Sequence, residues 1–210
     1  MTQVQTIGSY RNVAIDVAGW DSAAATVDLS CACMFTHEAH GATLGGGLAH
    51  LDQALGGTLT SMRQQGLFRA ERGETLFLSA PPAGVAGVAG VAAKALLVIG
   101  LGAPEDWSPA VMESVVRQAV GAAFFRPVRS IALAASMLDG GLTPAETAGA
   151  SAAMLRGLTG ALDAAAHLRA MNIVEPLLLN RRVFDVGAGR FDGAAAQFGE
   201  ELAALSPSQD

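Results

Sequence analysis

Lys94-Ala95-Leu96-Leu97-Val98-Ile99-Gly100-Leu101-Gly102 is the stretch that decides the fold class. Residues 94–99 form a short apolar run bounded by glycine, and the run has no polar face. A strand exposed on one side alternates apolar and polar residues; a strand covered on both sides does not. The run therefore predicts a buried strand with structure packed on each face.

Downstream, Ser108 and Pro109 open a helix, Ser108 as cap and Pro109 at the first position. Val111, Val115, Ala119 and Ala122 mark its buried stripe. Residues 130–135 read as a second apolar strand. Thr143-Pro144 opens a long helix to about residue 170, with Thr143 as cap and Glu146 completing a capping box. Residues 173–179 read as a last strand, interrupted by Pro176, and residues 191–205 as a final amphipathic helix.

Upstream, residues 74–79 read as a strand stopped by Pro81-Pro82, and the Gly-Val-Ala steps after them as a loop. Leu48, Leu51, Ala54 and Leu55 follow helical spacing. Gly56-Gly57 breaks that helix, and Leu59, Met62 and Leu67 extend it as a second short one. Residues 26–35 read as a strand, with Val27, Leu29, Cys31 and Cys33 on one face. Val13, Ile15 and Val17 suggest a first strand, and residues 36–47 a polar, glycine-rich loop. Strands alternating with helices predict an α/β fold, a three-layer αβα sandwich on a mixed, mostly parallel sheet. Residues 1–210 read as one domain.

The 210 residues are 51% hydrophobic and 15% charged, far from the profile of disorder. The net charge of −6 disfavours non-specific binding to nucleic acid. Twelve of the 13 basic residues are Arg, so a local anion site is still open to the chain. Cys31 and Cys33 stand too close in sequence for an unstrained disulfide. Two reduced thiols fit a cytoplasmic protein in which both act as core residues. Residues 1–12 lack an apolar signal core, and no stretch reads as a membrane span.

Gly45, Gly46 and Gly47 precede a predicted helix, where free N–H groups and close backbone approach suit a phosphate. The plainer reading is a loop joining strand to helix. Gly100 and Gly102 end the best strand, where ligands bind in open α/β sheets; the plainer reading is a tight turn. His37 and His40, with Glu38 between them, are weak metal candidates, because their spacing differs from the helical His-Glu-x-x-His arrangement. Solvated side chains are the plainer reading, and no metal or cofactor is expected. Arg63, Arg69 and Arg72, like Arg126 and Arg129, read as solvated surface. Ser136 and Asp139 follow a strand with no His near them in sequence.

Leu51-Asp52-Gln53-Ala54-Leu55-Gly56-Gly57-Thr58-Leu59 resembles the leucine–aspartate–x–x–leucine–glycine–glycine segment in the N-terminal domain of leucyl (cytosol) aminopeptidases. The likeness continues in register through Gly66-Leu67-Phe68, Gly73-Glu74-Thr75-Leu76 and Leu96–Gly102. The resemblance implies that domain's macro-domain-like αβα sandwich. It also implies association, since the family's enzymes assemble as hexamers. In the family the two-metal site lies in a C-terminal domain that includes an Asn-Thr-Asp-Ala-Glu-Gly-Arg segment. No such segment occurs here, so the resemblance implies no catalytic residue in this chain.

The glycine loop is also similar to that of macro domains, which bind ADP-ribose. Thr36-His37-Glu38-Ala39-His40 stands where those domains carry an Asn-rich stretch. The leading expectation is a stand-alone, non-catalytic homologue with an interaction, assembly or regulatory role. Its partner would be a second copy or a peptidase-type protein. One alternative is a macro-type module binding a nucleotide or ADP-ribose-like phosphate at Gly45–Gly47. Another is the non-catalytic part of a split aminopeptidase.

Overall fold

The computed structural model describes residues 3–20, 22–41, 43–79 and 90–205. Seven strands form one sheet: β1 (Val4–Tyr10), β2 (Val13–Ala18), β3 (Leu29–Phe35), β4 (Thr75–Ser79), β5 (Ala95–Gly102), β6 (Ser130–Ala134) and β7 (Arg181–Asp185). Their order is β1-β2-β7-β6-β3-β5-β4. The five inner strands are parallel, and β1 and β4 close the two margins as antiparallel edges.

Among the described residues, six α-helices complete the fold: α1 (Thr36–His40), α2 (Gly46–Ala54), α3 (Thr58–Gln64), α4 (Pro109–Ala122), α5 (Ala150–Ala170) and α6 (Phe191–Leu205). Leu29, Cys31, Cys33 and Phe35 pack against α4, α5 and α6 through Val115, Leu158 and Phe198. Ala32 and Met34 on the opposite face pack against Leu48, Leu51 and Leu59 of α2 and α3. The sheet is thus sandwiched, as the unbroken apolar run of β5 requires. Each buried Leu or Ile there contributes about 1.5–3 kcal/mol.

Several expectations need correction. Strand β1 was not foreseen; its side chains are mostly polar and exposed, and only Ile7 and Tyr10 touch the core. The last strand is not at 173–179. It is β7, whose Arg181-Arg182 start hides it from a hydropathy pattern. The long helix does not begin at Thr143. The capping box does form, with Glu146 Oε2 accepting from the Thr143 N–H and hydroxyl, both at 2.7 Å. Gly149, at φ +78°, then breaks the turn, and α5 starts one residue later. Residues 36–40 are a helical turn rather than loop. Pro81-Pro82 and the loop reading after them lie outside the described residues.

Ser108 stands at the start of α4 with Pro109 behind it, but its hydroxyl caps no backbone N–H. Among the described residues no helix is long and apolar enough to cross a membrane.

Candidate functional site at the carboxyl ends of the parallel strands

From β3 the chain runs out to β4 and β5, then α4 carries it back across to β6 on the other side of β3. The carboxyl ends of β3 and β6 therefore diverge into loops that leave in opposite directions, and such a switch point opens a crevice. A cleft of about 260 Å³ lies there, walled by residues that follow β2, β3, β6 and β7. Trp20 follows β2; Gly46, Gly47 and His50 belong to α2; Ser136 and Asp139 follow β6; Asp185 ends β7 and Arg190 lies just beyond.

Local chemistry sets each wall. Gly46 has φ +48°, a conformation that other residues adopt only with strain. Ser136, a non-glycine residue, also sits at φ +48°, at the point where the chain leaves β6. The Gly140 N–H donates to the Ser136 carbonyl at 2.9 Å, closing a turn that presents Asp139 to the cleft. The Asp185 carboxylate accepts the N–H groups of Trp20 at 3.0 Å and Gly187 at 3.2 Å, which ties the β2 and β7 ends together. Arg190 Nε donates to the Val186 carbonyl at 3.0 Å, so the guanidinium lies folded back over the lip.

A second, more apolar cavity of about 170 Å³ shares the Ser136–Asp185–Arg190 wall and reaches between α5 and α6. Met137, Met154, Phe184 and Phe198 line it. Beside it, the buried Ser151 hydroxyl donates to Glu201 Oε1 at 2.9 Å and accepts from Gln197 Nε2 at 2.8 Å.

The glycine candidates divide. Gly46 and Gly47 line the cleft, with Gly45 capping α2 beside them. Gly100 and Gly102 stand elsewhere, under residues 70–74. A Cβ on Gly100 would lie 2.1 Å from the Glu71 carbonyl oxygen. The Gly102 N–H donates to the Ala70 carbonyl at 3.0 Å. Their small size seats a neighbouring loop.

His37 stacks on Phe35 with ring centroids 5.9 Å apart, and His40 is exposed at the end of α1. Among the described residues, no three His, Cys, Asp or Glu side chains converge as metal ligands. Glu38, between the two His, is buried, and its carboxylate accepts the Phe35 N–H at 2.9 Å. Burial pushes its carboxyl above the usual carboxylate range. Cys31 and Cys33 are buried and free, and burial raises both thiols, Cys31 to about 11.

One arginine expected to be solvated is not: Arg63 is buried and holds α1 through its carbonyls. Arg126 is exposed, with its guanidinium 3.4 Å over the Phe77 ring. The sequence reading missed Trp20, His50, Asp185 and Arg190 as cleft residues. Asp185 and Arg190 were within reach had β7 been placed correctly, since both follow its carboxyl end.

Several solved structures share this architecture. The Oceanobacillus iheyensis macrodomain with MES bound superposes with a TM-score of 0.64 at 14% identity, over 98% of this chain and 98% of that one. The Trypanosoma brucei macrodomain in complex with ADP gives 0.58 at 15% identity, over 90% of this chain and 68% of that one. A variant of tomato leucine aminopeptidase gives 0.60 at 18% identity, over 90% of this chain. This chain spans only 35% of that enzyme's length. At these identities the likeness establishes a macrodomain-like α/β fold. No curated protein matches the sequence. The sequence pattern described as "Cytosol aminopeptidase family, N-terminal domain" matches residues 34–161, more than half of the chain. The chain belongs to the cytosol aminopeptidase family, through that family's N-terminal domain.

Proposed function

We propose that this chain is a non-catalytic recognition module that binds a phosphate-bearing small ligand, of nucleotide or ADP-ribose type, in the carboxyl-edge cleft. One observation carries the reading: Gly46, Gly47 and Arg190, drawn from separate loops, meet in one cleft at the switch point of the sheet. Glycine backbone lets a ligand approach closely, and the guanidinium at the lip suits the anionic part of that ligand. Macrodomains solved with ADP share the fold, which adds support by analogy. The test is thermal unfolding with ADP-ribose, ADP and inorganic phosphate. Ligand at a hundredfold its Kd adds about 2.7 kcal/mol to the native state. No upward shift at millimolar ADP-ribose removes the reading.

A second reading, assembly with a further copy or a peptidase-type partner, is favoured by the opposite edge of the sheet. Phe125, Ile173 and Leu178 are 89%, 63% and 50% exposed in the two loops that lead into β6 and β7. Exposed apolar side chains gathered on one edge mark contact surfaces. Light scattering across a concentration series tests it, with Phe125→Asp expected to lower the assembled mass. A wild-type mass equal to one chain at every concentration, in the presence and absence of a family peptidase, removes it. Two free thiols support a cytoplasmic location under either reading.

A further inference from the structure

The wall of the cleft against Gly46 is covered by a carboxylate. A Cβ built on Gly46 would lie 2.6 Å from Asp139 Cγ and 2.6 Å from Oδ2. Asp139 therefore packs directly on the glycine, and the lack of a side chain at position 46 is what admits it. The turn that carries Asp139 is itself constrained. Ser136 holds a left-handed conformation, and a Cβ on Gly140 would lie 2.6 Å from the Phe35 ring. Strain of this kind persists where surrounding structure holds it.

Asp139 is also open. It is solvent-exposed, and among the described residues nothing donates a hydrogen bond to its carboxylate. Asp185, by contrast, is buried and accepts two backbone N–H groups. Arg190 supplies positive charge on another wall of the cleft. The cleft is thus polarised, with free acceptor oxygens over Gly46 and a guanidinium beside Gly187. A phosphate set against Gly46 would meet a like charge; a hydroxyl there would meet an acceptor.

We propose that Asp139 is the specificity-determining residue of this cleft: it accepts hydrogen bonds from the hydroxyls of a sugar, and so turns the ligand's phosphate toward Arg190. The ligand class is a sugar phosphate or nucleotide with a free diol. This rests on the cleft reading above for the phosphate, and on the Asp139–Gly46 packing for the sugar.

The experiment compares wild type, Asp139→Ala, Asp139→Asn and Arg190→Ala by calorimetry with ADP-ribose and inorganic pyrophosphate. The Gly46 and Gly47 amide resonances are followed in parallel during titration with free ribose. A hydrogen bond to a charged acceptor is worth enough to change affinity about tenfold or more. Asp139→Ala is expected to lose at least that factor for ADP-ribose and none for pyrophosphate. Arg190→Ala is expected to lose affinity for both. Asp139→Asn keeps the packing on Gly46, so a shared loss separates lost recognition from lost structure. If Asp139→Ala binds ADP-ribose as well as or better than wild type, the proposal is overturned. If phosphate ligands bind neither protein, but ribose shifts the Gly46 resonance in wild type and not in Asp139→Ala, the Asp139 assignment stands and the phosphate reading falls. If ribose shifts neither and ADP-ribose binds neither, both fall.

Discussion

Arg63 donates from Nη2 to the Gly41 carbonyl at 3.3 Å and from Nη1 to the Glu38 carbonyl, so one side chain of α3 holds the end of α1. It does this while only 7% exposed. Helix α1, which follows β3 on the way to the cleft glycines, is thereby anchored from below.

Arg63→Ala leaves the buried Glu38 carbonyl without its donor and removes the part-buried bond to Gly41. It is expected to cost about 2–3 kcal/mol. Urea unfolding should show a lower midpoint at unchanged slope, and Arg63→Lys should recover only part, because an ammonium lacks the fork that spans two acceptors. An unchanged midpoint in the Ala variant would show that α1 holds itself.

Gly100→Ala sets a methyl group 2.1 Å from the Glu71 carbonyl oxygen. The backbone of residues 70–74 must move, with an expected loss above about 3 kcal/mol. Gly121, inside α4, has no heavy atom within 4 Å of the same construction. Gly121→Ala should stabilise by about 0.5–1 kcal/mol. Thermal unfolding of the two variants checks both signs, and a mild Gly100→Ala would show that the 70–74 loop yields.

Burial raises the Glu38 carboxyl, so the folded state holds its proton to higher pH than the unfolded state does. The stability it contributes is present below the unfolded pKa and is lost as pH rises through the folded one. Glu38→Gln keeps an acceptor for the Phe35 N–H and removes the charge. The variant should gain on wild type as pH climbs from the ordinary carboxylate range toward neutrality. Melting curves across that window test it, and a constant difference between the two proteins would contradict it.

Arg182 is fully buried, and its Nε, Nη1 and Nη2 have no hydrogen-bond partner among the described residues. Burial works against its charge, and Cys31 is the thiol that touches it. Replacing a buried charge with an apolar side chain of similar volume is often neutral or stabilising by about 1–4 kcal/mol. Arg182→Met is expected to raise the urea midpoint; a clear fall would mean that the guanidinium is needed where it lies.

Burial pushes the Cys31 thiol to about 11 and the Cys33 thiol further, so neither is a thiolate at neutral pH. Native protein should react with a disulfide reagent only as fast as it opens, and denatured protein at once with both thiols. Rapid labelling of the folded chain would place a thiol at the surface.

Legibility in the sequence followed burial. Strand β5 and helix α6 were readable because each turns apolar side chains toward a core, at strand and helix periods respectively. Strand β7 was misplaced because Arg182, a residue that hydropathy assigns to solvent, is among the most deeply buried side chains in the chain. The start of α5 was misjudged because a genuine capping box at Thr143 is undone by backbone geometry at Gly149, which no side-chain pattern records. Within the site, the Gly46–Gly47 wall was visible as a glycine run before a helix. Ser136 and Asp139 stood out only as polar residues after a strand, and Trp20, His50, Asp185 and Arg190 not at all as walls of a cleft.

The alternation of strands and helices, the two-faced sheet and the family were legible in the sequence itself, because periodicity and short motifs are local properties of neighbouring residues. Which residues share the cleft was decided only in three dimensions. Trp20, Gly46, Asp139 and the Asp185–Arg190 segment are far apart along the chain, and parallel strands bring them together by ending on the same side. The same holds for Gly46 and Asp139: one had to lack a side chain so that the other could fill the space, and that requirement exists only between surfaces already folded against each other.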